Sequence, residues 1–199
     1  MDYRRLNNIK VKSTFPLPIV DELLDELAGT KWFSKFDLRA GYHQIRIKET
    51  NEAKTTFKTH HGQFQFRVMP FGLKNAPATF RCLMNSIFSH CIRKYVLVFM
   101  DDILVYSKDL ETHAKHLAEV LQILRTNKLC AKRSKYTFAR SQLEYLGHII
   151  SDKGVATDSN KTTANGQLAY SYQFDRIKRN PGFNRVLQKI YQSLLWNYR

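Results

Sequence analysis

Val98-Phe99-Met100-Asp101-Asp102-Ile103-Leu104-Val105-Tyr106-Ser107 decides how this chain is read. Tyr95–Met100 and Ile103–Tyr106 are apolar runs of strand length, joined through Asp101-Asp102. Charge beside a buried sheet is costly unless it is solvated or paired with a cation. A plain hairpin turn is the competing account, because Asp is common in turns. The tightest hairpins favour Asp-Gly or Asn-Gly, however, and a second Asp stands here.

A second acid extends the pattern. In Phe36-Asp37-Leu38-Arg39-Ala40-Gly41-Tyr42, Asp37 ends an aromatic strand, Trp32–Leu38, and precedes a turn of small residues. Taken singly, Asp37 reads as a helix or turn cap. If the two strands are neighbours, three carboxylates meet at one sheet edge, a donor set suited to hard divalent cations such as Mg²⁺. A third signal is Met69-Pro70-Phe71-Gly72-Leu73-Lys74-Asn75-Ala76-Pro77. So little side-chain bulk lets another surface approach the backbone. An ordinary helix start serves equally well, with Asn75 as cap and Pro77 in the first turn.

The remaining pattern is mixed. Phe15-Pro16-Leu17-Pro18 is an extended lead-in. Val20, Leu23, Leu24 and Leu27 have helical spacing, with Gly29 at the C-terminal end. Ile45 and Ile47 alternate with polar residues as in a half-buried strand. Thr55–Thr59 and Gln63–Met69 flank His61-Gly62 as a hairpin, with Phe64, Phe66 and Val68 on one face. Phe80, Leu83, Met84, Ile87 and Phe88 form one helical stripe; Leu117, Val120, Leu121 and Leu124 form another behind a cap at Asp109. Leu143–Ile150, Asp152-Lys153-Gly154 and Val155-Ala156 suggest a last hairpin. Hairpins and helices without a βαβ rhythm indicate the α+β class. His60, His61, His113 and His116 show no metal-binding spacing and read as surface or turn residues. Lys132, Arg133 and Lys135 form a basic cluster that is either a solvated face or a phosphate contact.

Composition sets the limits. The 199 residues are 43% apolar and 13% aromatic, enough for a real core, which excludes a wholly disordered chain. Lys and Arg total 32 against 17 Asp and Glu, a formal charge of +15. That excess points to a polyanion, nucleic acid first and an acidic membrane surface second. Cys82, Cys91 and Cys130 are odd in number and lack metal spacing, which favours a reducing compartment. No apolar run is long enough to cross a bilayer, and MDYRRLNNIK has no signal-peptide core, so an intracellular, cytoplasmic or nuclear location is expected.

FDLRAGYHQI (36–45), MPFGLKNAPATF (69–80), VFMDDILVYS (98–107) and LGHIIS (146–151), in that order, resemble the palm of a reverse transcriptase. The resemblance is greatest to gypsy-type LTR-retrotransposon polymerases, and DYRRLN (2–7) and FPLPIVDELLDEL (15–27) fit the same family. It implies an α+β palm with partial fingers over residues 1–164. It also implies an RNA-directed DNA polymerase that adds dNTPs to a DNA primer on an RNA or DNA template. Two Mg²⁺ ions, with Mn²⁺ as a possible substitute, would activate the primer 3′-hydroxyl and stabilise the leaving pyrophosphate.

The resemblance assigns roles. Asp37, Asp101 and Asp102 are the metal-binding catalytic acids, with Leu38 lending a carbonyl. Tyr42 is the steric gate against a 2′-hydroxyl. Phe71 and Gly72 line the nucleotide pocket, with Arg39 and Lys135 as further nucleotide contacts, Lys135 helping to protonate pyrophosphate. Leu146-Gly147-His148 is the primer grip.

Two departures matter. DYRRLN stands at the start of the sequence, where relatives first have a fingers hairpin that supplies triphosphate-binding bases. Residues 165–199 also leave the family pattern, with six basic residues and one acid. Codons can be chosen so that Val186–Tyr191 reads one frame over as G-Y-Y-R-K-F-I, a family signature. The tail is therefore expected to be a frameshifted, disordered continuation. Both departures suggest an isolated chain with weak or no polymerase activity. The alternative is a non-catalytic relic that binds nucleic acid without specificity. A generic metal-dependent nuclease accounts for the acids but not for Tyr42 or the Gly72 loop.

Overall fold

A computed structural model describes residues 1–13, 18–132 and 135–157. The expected lead-in at 15–17, Arg133, the boundary near 164 and the frameshifted tail at 165–199 lie outside the described residues. The two runs around the Asp pair form strands β4 (Val96–Phe99) and β5 (Asp102–Ser107). Their joint is Met100-Asp101, one residue earlier than the sequence suggests: Phe99 pairs with Asp102, and Asp102 already belongs to β5. Met100 has φ +53°, a left-handed conformation that costs a non-glycine residue about 1 kcal/mol or more.

Strand β1 (Trp32–Asp37) lies antiparallel to β5 with Asp37 opposite Asp102. Strand β6 (Thr137–Arg140) pairs with the other side of β1, giving the sheet order β4-β5-β1-β6. The sequence reading missed β6, whose four residues carry no clean alternation. The aromatic rings Tyr136 and Phe138 nevertheless pack edge-on against buried Phe36, at 5.8 and 5.4 Å between centroids.

Side chains alternate across a strand, so this sheet has two distinct faces. Phe36, Ile103, Val105, Val96 and Val98 pack against helix α4 (Ala76–Ile87) and helix α5 (Leu110–Thr126). The stripe read on each helix is the one that packs inward: Phe80, Met84, Leu117 and Val120 are all buried. Phe33, Leu97, Leu104 and Tyr106 face the other way. They meet Leu23, Leu24 and Leu27, in and just beyond helix α2 (Val20–Asp25), and Leu143, Tyr145 and Ile150 of a second sheet.

That second sheet is a meander of β7 (Gln142–Tyr145), β8 (His148–Ser151) and β9 (Gly154–Thr157), not a single hairpin. Leu146 and Gly147, at φ +52° and +78°, make its first two-residue turn, as a right-twisted hairpin demands.

Other expectations are corrected. His113 is fully buried, not at the surface. Its ring bridges Ser34 (2.7 Å) and Ser107 (3.0 Å), two buried hydroxyls on the face of the sheet beneath α5. Buried polar groups need partners, and the helix supplies one. His116 is half-buried and stacks on Tyr95 at 3.8 Å. Ile45–Ile47 is not a strand: after a 3₁₀ turn (Gly41–Gln44) it makes only one isolated bridge, Arg46 with Val68.

The hairpin between α3 (Glu49–Glu52) and α4 is shorter than expected, β2 (Phe57–Thr59) with β3 (Gly62–Phe64) turning at His60-His61. Asn75 occupies the N-cap position of α4 without capping it. Its amide instead accepts from Ser13 N–H (3.1 Å) and donates to the Val11 carbonyl (2.9 Å). Asp109 does cap α5, accepting from Thr112 N–H at 2.8 Å. Among the described residues, no helix is long and apolar enough to cross a membrane.

Candidate active site

Antiparallel register gathers the acids. Asp37 and Asp102 are cross-strand neighbours on one face. Asp101 is fixed to the same edge because its carbonyl accepts Leu38 N–H at 3.0 Å. Each strand ends at its acid, so the carboxylates meet solvent at the rim of an otherwise buried sheet. Two lysines answer the charge. Lys35 Nζ lies 3.1 Å from Asp102, and Lys135 Nζ hydrogen-bonds Asp37. Burial raises the Asp102 pKa above its ordinary value; Lys35 opposes that, and Asp37 and Asp101 add to it. Even with its lysines, the edge is rich in negative charge.

These carboxylate donors suit a hard divalent ion in type. Among the described residues, however, no three acidic, His or Cys side chains are gathered closely enough to hold a metal. The carboxylates of Asp37 and Asp102 point to lysines instead.

The loop after Asp37 is tightly held. Arg39 is exposed, and its N–H donates to the Cys130 carbonyl at 2.9 Å. The Gln44 amide spans the same gap, donating to the Arg39 and Cys130 carbonyls (2.6 and 2.8 Å) and accepting from Cys130 N–H (2.5 Å). A Cβ on Gly41 would lie 3.2 Å from the Phe80 ring and 3.5 Å from Asp101 Cβ. Helix α4 and the acid edge are therefore in contact through a residue that must be small. Leu38 itself is buried in the core that includes Phe80.

Beside the acids runs an aromatic wall. Tyr42 contacts Phe80 (5.5 Å) and Phe71 (5.2 Å); His43 contacts Phe71 (4.8 Å) and Phe66 (6.3 Å). Burial raises the Tyr42 pKa, and the Asp101 charge raises it further, so its hydroxyl stays protonated. Phe71 is 56% exposed.

The backbone of Gly72, at φ +91°, is approached closely, as the small residues suggest, and the approaching surface is the chain's own N-terminal segment. Tyr3 Cδ2 lies 3.4 Å from where a Cβ would stand. Asn7, at the end of DYRRLN, donates to the Gly72 carbonyl and accepts from Lys74 N–H, both at 2.8 Å. Leu146, Gly147 and His148 form the β7–β8 turn and the start of β8. They follow Tyr145, whose pKa is raised by burial and then by the Asp102 charge.

The structure places Asp37, Asp101 and Asp102 at one edge, with Leu38 and Lys135 beside them and Tyr42 on the adjoining aromatic wall. Sequence reasoning missed Lys35, Gln44 and Asn7. Lys35 left one signal, a lysine in a strand that reads as apolar or small up to its terminal Asp37.

An antiparallel sheet backed by two helices, with this edge, defines the class of α+β reverse-transcriptase-like domains. The chain belongs to the reverse transcriptase (RNA-dependent DNA polymerase) family, which matches residues 1–150. It is 36% identical over 193 residues to the retrovirus-related Pol polyprotein from transposon opus of Drosophila melanogaster, covering 97% of this chain and 19% of that protein. It is 38% identical over 154 residues to the transposon Tf2-3 polyprotein of Schizosaccharomyces pombe, covering 77% and 12%. The foamy viral protease-reverse transcriptase solved with an RNA/DNA hybrid shares the fold at a TM-score of 0.71 and 24% identity, over 79% of this chain and 21% of that one. The same protein with double-stranded DNA gives 0.72 and 23%, over 96% and 42%. The chain thus spans a fifth or less of the length of the curated relatives named here.

Proposed function

We propose that the Asp37–Asp101–Asp102 edge is the catalytic centre of RNA-directed DNA polymerisation, transferring a dNTP to a primer 3′-hydroxyl. The single observation that carries this reading is the register pairing of Asp37 with Asp102 at the open end of a buried sheet. Asp37, Asp101 and Asp102, with the Leu38 carbonyl, hold the divalent ions. Bound Mg²⁺ or Mn²⁺ supplies an acidified 3′-hydroxyl and charge neutralisation at the leaving pyrophosphate.

The chain's own residues do the rest. Tyr42, backed by Phe80 and Phe71, presents a wall that excludes a 2′-hydroxyl. Phe71, Gly72 and Arg39 border the nucleotide. Lys135 turns from Asp37 to the triphosphate and delivers a proton to pyrophosphate. The Leu146–His148 turn supports the primer terminus. The positive surplus binds template and primer phosphates, and the solved relatives bound to an RNA/DNA hybrid and to DNA support that choice of partner.

A second reading has its own support. With Asp37 and Asp102 occupied by lysines, the chain alone binds nucleic acid without catalysis. Primer extension on an RNA template in Mg²⁺ and in Mn²⁺, by this chain and by Asp101→Asn, tests both. Weak extension that disappears in Asp101→Asn supports the catalytic centre. Equal extension by both proteins removes it. Binding with no extension in either metal leaves the second reading in possession.

A further inference from the structure

Lys35 is out of place on its face of the sheet. Alternation puts it in line with Phe33, Leu97, Leu104 and Tyr106, all buried and apolar. Its cross-strand partner is Leu104, so Asp102, two residues before Leu104 in β5, is its diagonal neighbour. The ammonium lies 3.1 Å from an Asp102 carboxylate oxygen and 5.8 Å from the centre of the buried Tyr145 ring. β1 is paired on both sides, by β5 and β6, so the lysine stem rises from the middle of a sheet.

The two lysines at this edge are not equivalent. The Lys35 side chain is 25% exposed, and that of Lys135, in the segment before β6, is 54%. Lys135 can swing into solvent at little cost. Lys35, less than half as exposed and rising between buried Phe33, Leu104 and Tyr145, has less water to take its charge if it leaves Asp102.

We propose that Lys35 is a built-in counter-cation of the carboxylate edge. It holds Asp102 by one oxygen, carries part of the charge that a divalent ion would otherwise supply, and so sets how tightly the edge takes such an ion. This rests on the reading of that edge as a divalent-cation site. Lys35 is a positioning residue: it acts through Asp102 and touches no substrate.

The test is a Mn²⁺ titration of the 199-residue chain, read by the paramagnetic resonance signal of free Mn²⁺. It is run on the unchanged protein, Lys35→Met, Lys35→Gln, Lys35→Arg, Asp102→Asn and the double variant Lys35→Met with Asp102→Asn. Removing the ammonium is expected to tighten Mn²⁺ binding by roughly tenfold, the usual size of a neighbouring-charge effect. Lys35→Arg is expected to match the unchanged chain, and the gain is expected to vanish where Asp102 is already Asn. A lysine that merely packs would alter melting temperature equally with and without Mn²⁺ and leave affinity unmoved, which overturns the proposal. So does tightening that persists in the double variant. If the unchanged chain and every variant fail to bind Mn²⁺, the cation site itself falls, and the role of Lys35 with it.

Discussion

His113 is a base that its surroundings keep neutral. Burial between two sheet hydroxyls pushes its pKa down to about 4 from an ordinary 6.5, with His116 adding to the fall. Above pH 6.5 neither the native nor the unfolded chain binds this proton, and nothing is lost. Between 6.5 and 4 the unfolded chain protonates first, so stability falls on acidification, by about 3 kcal/mol in all. Urea unfolding at a series of pH values is expected to show that slope, and His113→Asn is expected to flatten it. At Gly41 the constraint is steric. Gly41→Ala brings a Cβ within 3.2 Å of the Phe80 ring, which must give way, so a loss of about 1–3 kcal/mol in melting experiments is expected, with loss of Asp101→Asn-sensitive extension. A substitution that left both unchanged would mean that α4 and the acids are not in contact there.

Among the elements, the β4–β5 turn carries strain where the chemistry is proposed. Met100 sits left-handed and 41% exposed, so its side chain contributes little to packing. Met100→Gly is expected to stabilise the chain by up to about 1 kcal/mol in thermal unfolding, since glycine adopts this φ without a steric cost. A loss of more than that would show that Met100 has packing the turn depends on.

The N-terminal segment of α1 (Arg4–Ile9) and the following residues behaves as a clasp on the Gly72 loop. Asn75→Ala removes its two bonds to Val11 and Ser13 without uncapping α4. Amide exchange over residues 4–13 is expected to quicken, while α4 keeps its protection. Faster exchange in α4 as well would mean that Asn75 is a true cap.

The described residues form a sheet with one face for helices and one for a second sheet, ending in a rim of acids. The chain as a whole is basic, with a formal charge of +15. Nucleic-acid affinity measured by filter binding is expected to fall at least about tenfold between roughly 50 and 200 mM salt, as phosphate contacts release counterions. A flat salt response would exclude the phosphate backbone as the partner.

Much of this architecture was legible beforehand because local signals carry it. Local signals named β1, β4, β5, α4 and α5, and the two helices pack by the stripe their period predicts. β6 was not legible, because four residues without alternation owe their pairing to β1 alone. His113 was misread because a single polar residue on a helix stripe looks the same whether solvent or a buried serine receives it.

The sequence by itself determined the family and the identity of the three acids, since motif order and residue type are properties of the chain alone. Tertiary structure decided what those acids touch. Asp37 faces Asp102 through a register that only strand pairing creates, and Lys35 reaches Asp102 across 67 positions of sequence because hydrogen-bonded strands put them side by side. A charge's partner depends on distance in space, and folding is what fixes that distance.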